Sequence, residues 1–92
     1  MFFVYILESE TTGKNYFGQT EDLEGRLLRH NSGRNISTRF GIPWKLKWWH
    51  EYESRSDAFK IEQKLKKLKS RAAVEKFVTE NNFRGVAQSR SR

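Results

Sequence analysis

The sequence predicts an α+β fold: a three-stranded antiparallel sheet flanked by helices, in the order β-β-α-β-α-α. Three observations predict it. Short runs rich in β-branched and aromatic residues occur three times, as strands do. Two of these runs face each other across a polar turn, and three stretches with apolar residues at spacings of three and four read as helices. The chain has 92 residues, which suits one domain. That domain is expected over residues 1–82, with a basic tail over 83–92 where the apolar pattern fades. At this size roughly 60–65% of the unfolded surface can be buried. The core is therefore thin, and an aromatic content of 14% is an efficient way to fill it.

Phe2 to Leu7 is apolar on both alternating faces, which predicts a strand covered on both sides. Glu8 to Lys14, holding Thr11-Thr12-Gly13, is a turn, and Asn15 to Gln19 returns as the second strand. Thr20-Glu21-Asp22 supplies helix-start residues, followed by Leu23, Leu27 and His30 at helical spacing with Arg26 alongside. Asn31-Ser32-Gly33 ends that helix, with Gly33 suited to a left-handed position. Arg34 to Pro43 reads as a polar, basic loop. Trp44 to Tyr52 is the third strand, with Trp44, Leu46 and Trp48 expected on one face and Trp49 turned away. Ser54 to Asp57 matches a capping box and opens a helix whose stripe is Ala58, Ile61, Leu65 and Leu68. Ser70 caps a last helix carrying Val74, Phe77 and Val78.

Eighteen Lys plus Arg against eleven Asp plus Glu give a net charge of +7. A polyanion is the expected partner, and nucleic acid is the usual one, DNA here in preference to RNA. A membrane is not expected, because the apolar run Phe2–Leu7 is far too short to span a bilayer and no basic segment precedes it. The expected location is the cytoplasm. The chain has no cysteine, so a metal would sit on oxygen or imidazole ligands, which favours Mg2+ or Mn2+.

Several residues carry chemistry. On a strand, Tyr16 and Gly18 share one side and Phe17 takes the other. Tyr16 is expected to present its hydroxyl at a site while Phe17 joins Val4 and Ile6 in the core. Gly18 leaves room for a phosphate backbone to approach. Tyr5 lies on the neighbouring strand, where pairing can bring the two phenols together; the plainer alternative is a pair of half-buried sheet aromatics. Arg26 and His30 project from one helix face, one turn apart. A guanidinium fork is shaped to hold phosphate, and an imidazole can bind phosphate or move a proton near neutral pH. An Arg26–Asp22 ion pair and a helix-terminal role for His30 are the plainer readings. Glu62, one position after Ile61, can reach inward from the edge of the apolar stripe. Its plainer role is an i,i+4 pair with Lys66, worth about 0.3–0.5 kcal/mol.

These residues fall into an ordered set. Phe3-Val4-Tyr5 and Tyr16-Phe17-Gly18, the stretch Leu23-x-x-Arg26-Leu27-x-x-His30-Asn31, Thr38-Arg39 with Pro43, and Ser54-to-Ala58 through Glu62-x-x-Leu65-Lys66 together resemble the GIY-YIG nuclease superfamily. The likeness is to its small stand-alone, UPF0213-like branch, and it covers the chain to about Val78. Phe3 and Phe17 depart from the tripeptides that name the family, while both tyrosines and Gly18 are kept.

The resemblance implies an endonuclease that hydrolyses phosphodiester bonds in DNA, using one divalent cation, Mg2+ or Mn2+, held by Glu62. It implies catalytic roles for Tyr5, Tyr16, Arg26, His30 and Glu62, with Tyr16 or Tyr5 as the base that takes a proton from water. A terminal asparagine also features in some members of the family, a place open to Asn81 or Asn82, neither fixed by spacing. Lys14, Gly18, Arg34, Arg39, Lys45 and Lys66 are the expected contacts to nucleic acid, gripping phosphate without reading sequence. The alternatives are a non-catalytic binding module on a nuclease scaffold and a nuclease for structured or RNA substrates.

Overall fold

The structure is a computed structural model, and it describes residues 1–68 and 70–81. Its elements are β1 (Phe2–Ser9), β2 (Asn15–Thr20), α1 (Leu23–Asn31), a 3-10 turn (Arg39–Gly41), β3 (Trp44–Tyr52), α2 (Arg55–Lys66) and α3 (Arg71–Glu80). The sheet is antiparallel in the order β2-β1-β3. The expected fold class and element order are both present. Asn82 and the expected tail over 83–92 lie outside the described residues.

β1 is the central strand, and both of its faces are covered, as its unbroken apolar run requires. Val4 and Ile6 face one cluster with Phe17, Trp48, Ala58, Leu65, Val74 and Phe77, so α2 and α3 cover that face. Tyr5 and Leu7 face the other cluster with Tyr16, Trp44, Leu23 and Leu27, so α1 covers that one. Leu65 is fully buried, and truncating it to Ala costs about 2–5 kcal/mol in a core of this kind.

Helix starts are fixed locally. Asp22, Ser54 and Ser70 each cap a helix through a side-chain oxygen that accepts from the backbone N–H three residues on. Gly33, just past α1, has φ +83°, the left-handed geometry expected of it.

The alternation expected along β3 is overturned. The β1–β3 register shifts between Ile6 and Leu7, which pair with Trp48 and Leu46 and leave Lys47 as an extra residue. Such a bulge reverses which side later residues face. Trp44 and Leu46 therefore pack on the α1 side while Trp48 packs on the α2/α3 side. Trp49 returns to the α1 side, where its ring meets Phe3 edge-on at 5.8 Å. Among the described residues, no helix is long and apolar enough to cross a membrane.

Candidate active site

Tyr5 and Tyr16 stand on adjacent strands, one diagonal step apart: Tyr5 pairs with Gly18 and Tyr16 with Leu7. Their ring centroids are 6.4 Å apart. Strand alternation puts Phe17 into the opposite cluster and leaves Tyr16 beside Tyr5 on the α1 face, as expected. α1 then lays His30 against both phenols, with ring centroids 6.1 Å from Tyr5 and 4.7 Å from Tyr16.

His30 is not a helix-end cap. It is 1% exposed and sits in a chain of hydrogen bonds. Its Nδ1 lies 3.0 Å from Thr38 Oγ1 and its Nε2 lies 3.2 Å from the Tyr5 hydroxyl. Thr38 Oγ1 donates to the Asn35 carbonyl, so it accepts from Nδ1–H, and Nε2 is left to accept the Tyr5 proton. Burial lowers the His30 pKa below the ordinary histidine value, and the nearby Arg26 and Arg29 charges lower it further. The imidazole is thus kept neutral, the form that can take a proton.

Burial and the neighbouring Tyr16 push the Tyr5 phenol up to about 12, with Glu62 adding to the rise. The Arg26 guanidinium opposes this through hydrogen bonding and charge. Arg26 is thereby placed at the phenol rather than held by Asp22, whose carboxylate caps the Gly25 N–H. Gly18 has a tighter role than leaving room for phosphate: a Cβ there would lie 2.6 Å from the Tyr5 hydroxyl. Only glycine leaves that oxygen in place.

Glu62 comes from the other side of the sheet. It rides on α2 and meets the edge strand β2 through Gln19, whose Nε2 donates to Oε1 at 3.0 Å. Its other oxygen pairs with Lys66 at 3.1 Å. Gln19 shares the strand face of Phe17, so this contact lies on the α2 side of the sheet, and Glu62 bears on Tyr5 only as the smallest of the influences that raise its pKa. The side chain is 12% exposed. Beside it, Gln19 Oε1 is buried without a hydrogen-bond partner. A carboxylate next to a spare amide oxygen is a donor set that suits one hard divalent cation, with water and substrate oxygens completing the shell. Among the described residues, no three His, Asp or Glu side chains gather as a closed metal cluster.

The expected nucleic-acid contacts divide. Lys14, Arg34 and Arg39 are exposed; Lys14 stands 5.5 Å from the centre of the Phe40 ring, and Arg39 donates to the Gly33 carbonyl. Lys66 is at Glu62. Lys45 is exposed too and pairs with Glu8 at 3.6 Å, which also binds Lys47 at 3.3 Å. Burial alone would raise the Glu8 pKa, yet the two lysines hold it below the carboxylate norm. Asn81 is tied into the α2/α3 side, where its carbonyl accepts from Trp48 Nε1 and its amide donates to the Phe77 carbonyl.

Thr38 and Asn31 belong to the motif stretches, but their contacts, like that of Gln19, were not foreseen. Asn31 clamps the backbone of Trp44 with both amide atoms, at 3.0 and 2.6 Å. A polar residue eight positions after a histidine in a loop gives no periodic signal, which is why the bond from His30 to Thr38 was not read from the sequence.

The pattern of the GIY-YIG catalytic domain matches residues 1–76. A UPF0213 protein of Streptococcus pneumoniae is 36% identical over 85 residues, spanning 91% of this chain and 84% of that one. One from Bacillus licheniformis is 33% identical over 85 residues, spanning 91% and 86%. The solution NMR structure of a UPF0213 protein from Bacillus halodurans superposes with a TM-score of 0.56 at 34% identity, covering 88% of this chain and 86% of that one.

Proposed function

Because the chain belongs to the GIY-YIG catalytic-domain family, whose chemistry is of the nuclease type, we propose that it is a metal-dependent endonuclease hydrolysing DNA phosphodiester bonds with little sequence specificity. One observation carries the reading. Tyr5, Tyr16, Arg26 and His30 meet on a single face of the sheet, and the reading adds the Glu62 carboxylate, held by Gln19 of the same edge strand as Tyr16.

The chain's own residues divide the work. Arg26 faces the phosphate and offsets the charge that builds on it. Tyr16, half-buried, offers its hydroxyl to a phosphate oxygen. Water attacks in line and gives its proton to the Tyr5 oxygen while the Tyr5 proton passes to His30 Nε2, 3.2 Å away. No free phenolate forms, which matters for a phenol whose pKa is about 12. Thr38 holds the imidazole in the accepting tautomer. Glu62, oriented by Gln19, is the ligand for one divalent ion, Mg2+ or Mn2+, which when bound polarises the phosphate and steadies the departing 3′ oxygen. Low sequence specificity follows from a surface whose candidate contacts are cations suited to phosphate rather than to base edges.

An end-labelled duplex incubated with Mg2+ or Mn2+ tests the reading. It predicts fragments ending in 3′-hydroxyl and 5′-phosphate, lost with EDTA and in Tyr16→Phe. A second reading is a binding module, since both Glu62 oxygens are already engaged by Gln19 and Lys66; duplex binding with no cleavage by wild type favours that one. Hairpins, flaps and single-stranded DNA or RNA run side by side separate a structure-directed nuclease from a duplex one.

A further inference from the structure

Phe40 is 56% exposed on the 3-10 turn that follows Thr38, yet the turn beneath it is firmly held. Trp44 Nε1 donates to the Thr38 carbonyl at 2.7 Å. Gly41 lets the turn lie flat on the Trp44 ring, where a Cβ would come within 2.4 Å. The Phe40 ring meets Trp44 edge-on at 6.0 Å, and Trp44 in turn meets Tyr16 at 6.3 Å. An aromatic line thus runs from the Tyr16 phenol to an open ring. Lys14 stands over that ring at 5.5 Å, and Arg34 and Arg39 lie on the same loop, exposed.

An exposed aromatic ring on a turn anchored to Trp44, with a lysine at one face and exposed arginines on the same loop, is what a strand with unstacked bases requires: stacking for the base and charge for the phosphates on either side. A fully paired duplex has no free base face to offer. We propose that Phe40 is a stacking platform for an unpaired nucleobase of a strand whose phosphate lies at the tyrosines, with Lys14, Arg34 and Arg39 holding the flanking phosphates. The substrate class is then nucleic acid with a single-stranded or distorted segment at the cut. This deepens the nuclease reading and rests on it for the word "cut", but the platform itself is a matter of binding.

The test is binding in EDTA, where turnover plays no part. Wild type, Phe40→Leu and Phe40→Trp are titrated with an oligonucleotide carrying 2-aminopurine, single-stranded and fully paired. Phe40→Leu keeps an apolar side chain at an exposed position, and a thermal melt confirms its fold. The expected result is quenching of 2-aminopurine by wild type, affinity for the single strand about tenfold weaker in Phe40→Leu, recovery in Phe40→Trp, and duplex affinity within about twofold throughout. Equal single-strand affinity for wild type and Phe40→Leu overturns the proposal. So does an equal loss on both oligonucleotides, or a dimer in wild type that Phe40→Leu dissolves, since a second copy would then cover the ring. Absence of nicking alongside Phe40-dependent binding would remove the nuclease reading and leave the platform standing.

Discussion

The Tyr5 hydroxyl lies 3.2 Å from His30 Nε2, and both side chains are 1% exposed. This buried phenol–imidazole contact joins β1 to the end of α1 across 25 residues of sequence. Because Thr38 occupies Nδ1, the proton in this contact belongs to Tyr5 and the lone pair to His30. Replacing either partner removes the proton path; Tyr5→Phe keeps the core filled, whereas His30→Ala also leaves a cavity where a side chain was fully buried, so a melt accompanies it. Nicking by Tyr5→Phe and by His30→Ala should each fall about 10²- to 10⁴-fold, and the double variant should be little worse than either alone. Losses that multiply in the double variant would show that the two act separately.

The same contact sets the pH profile. His30 must be neutral to accept a proton, and burial with Arg26 and Arg29 places its pKa below 6.5. Cleavage should therefore stay flat as pH falls through 6.5 and decline only under more acidic conditions. A rate that halves at or above pH 6.5 would contradict this, once metal binding has been measured over the same range.

Stability should follow the same groups. His30 and His50 both have native pKa values lowered by burial. Below 6.5 the unfolded chain takes up protons that the native chain resists, so stability decreases as pH falls through that window. The melting temperature should be lower at pH 5.5 than at pH 7.5, and His30→Gln should flatten the difference. A melting temperature that rises on acidification over this range would refute the assignment.

Gly18→Ala tests the seating of Tyr5. The added Cβ would sit 2.6 Å from the hydroxyl and 2.8 Å from Cζ, so strand or ring must move. Overpacking of this kind costs about 1–3 kcal/mol, read by urea denaturation, and cleavage should drop along with it. A neutral substitution would mean that the ring swings aside freely.

The cations should differ in how binding responds to salt. Each phosphate contact adds about 0.9 to the slope of log K against log salt. Lys14→Ala, Arg34→Ala and Arg39→Ala should each lower that slope, whereas Lys45→Ala, whose ammonium is paired with Glu8, should leave it nearly unchanged. Equal effects at all four positions would argue for a diffuse field rather than contacts.

Much of this was legible from residue order. Alternation in Tyr16-Phe17-Gly18 assigns the phenol and the core ring to opposite faces, and the four-residue spacing of Arg26 and His30 brings both to Tyr5. Three features were not. The bulge at Lys47 reverses Trp48 and Trp49, because a single extra residue in a strand leaves no trace in composition. Thr38 reaches His30 only through the path of a loop. Glu62 meets β2 through Gln19, a contact set by how α2 packs on β2 and not by any spacing along α2.

The central claim is that these groups form one hydrolytic centre that depends on Glu62. Supercoiled plasmid incubated with wild type and with Glu62→Ala, at matched concentration in Mg2+ or Mn2+, reads it directly. The account predicts open-circular product with wild type, none above background with Glu62→Ala, and none with either in EDTA. Equal nicking by both proteins, or nicking that persists in EDTA, would contradict it.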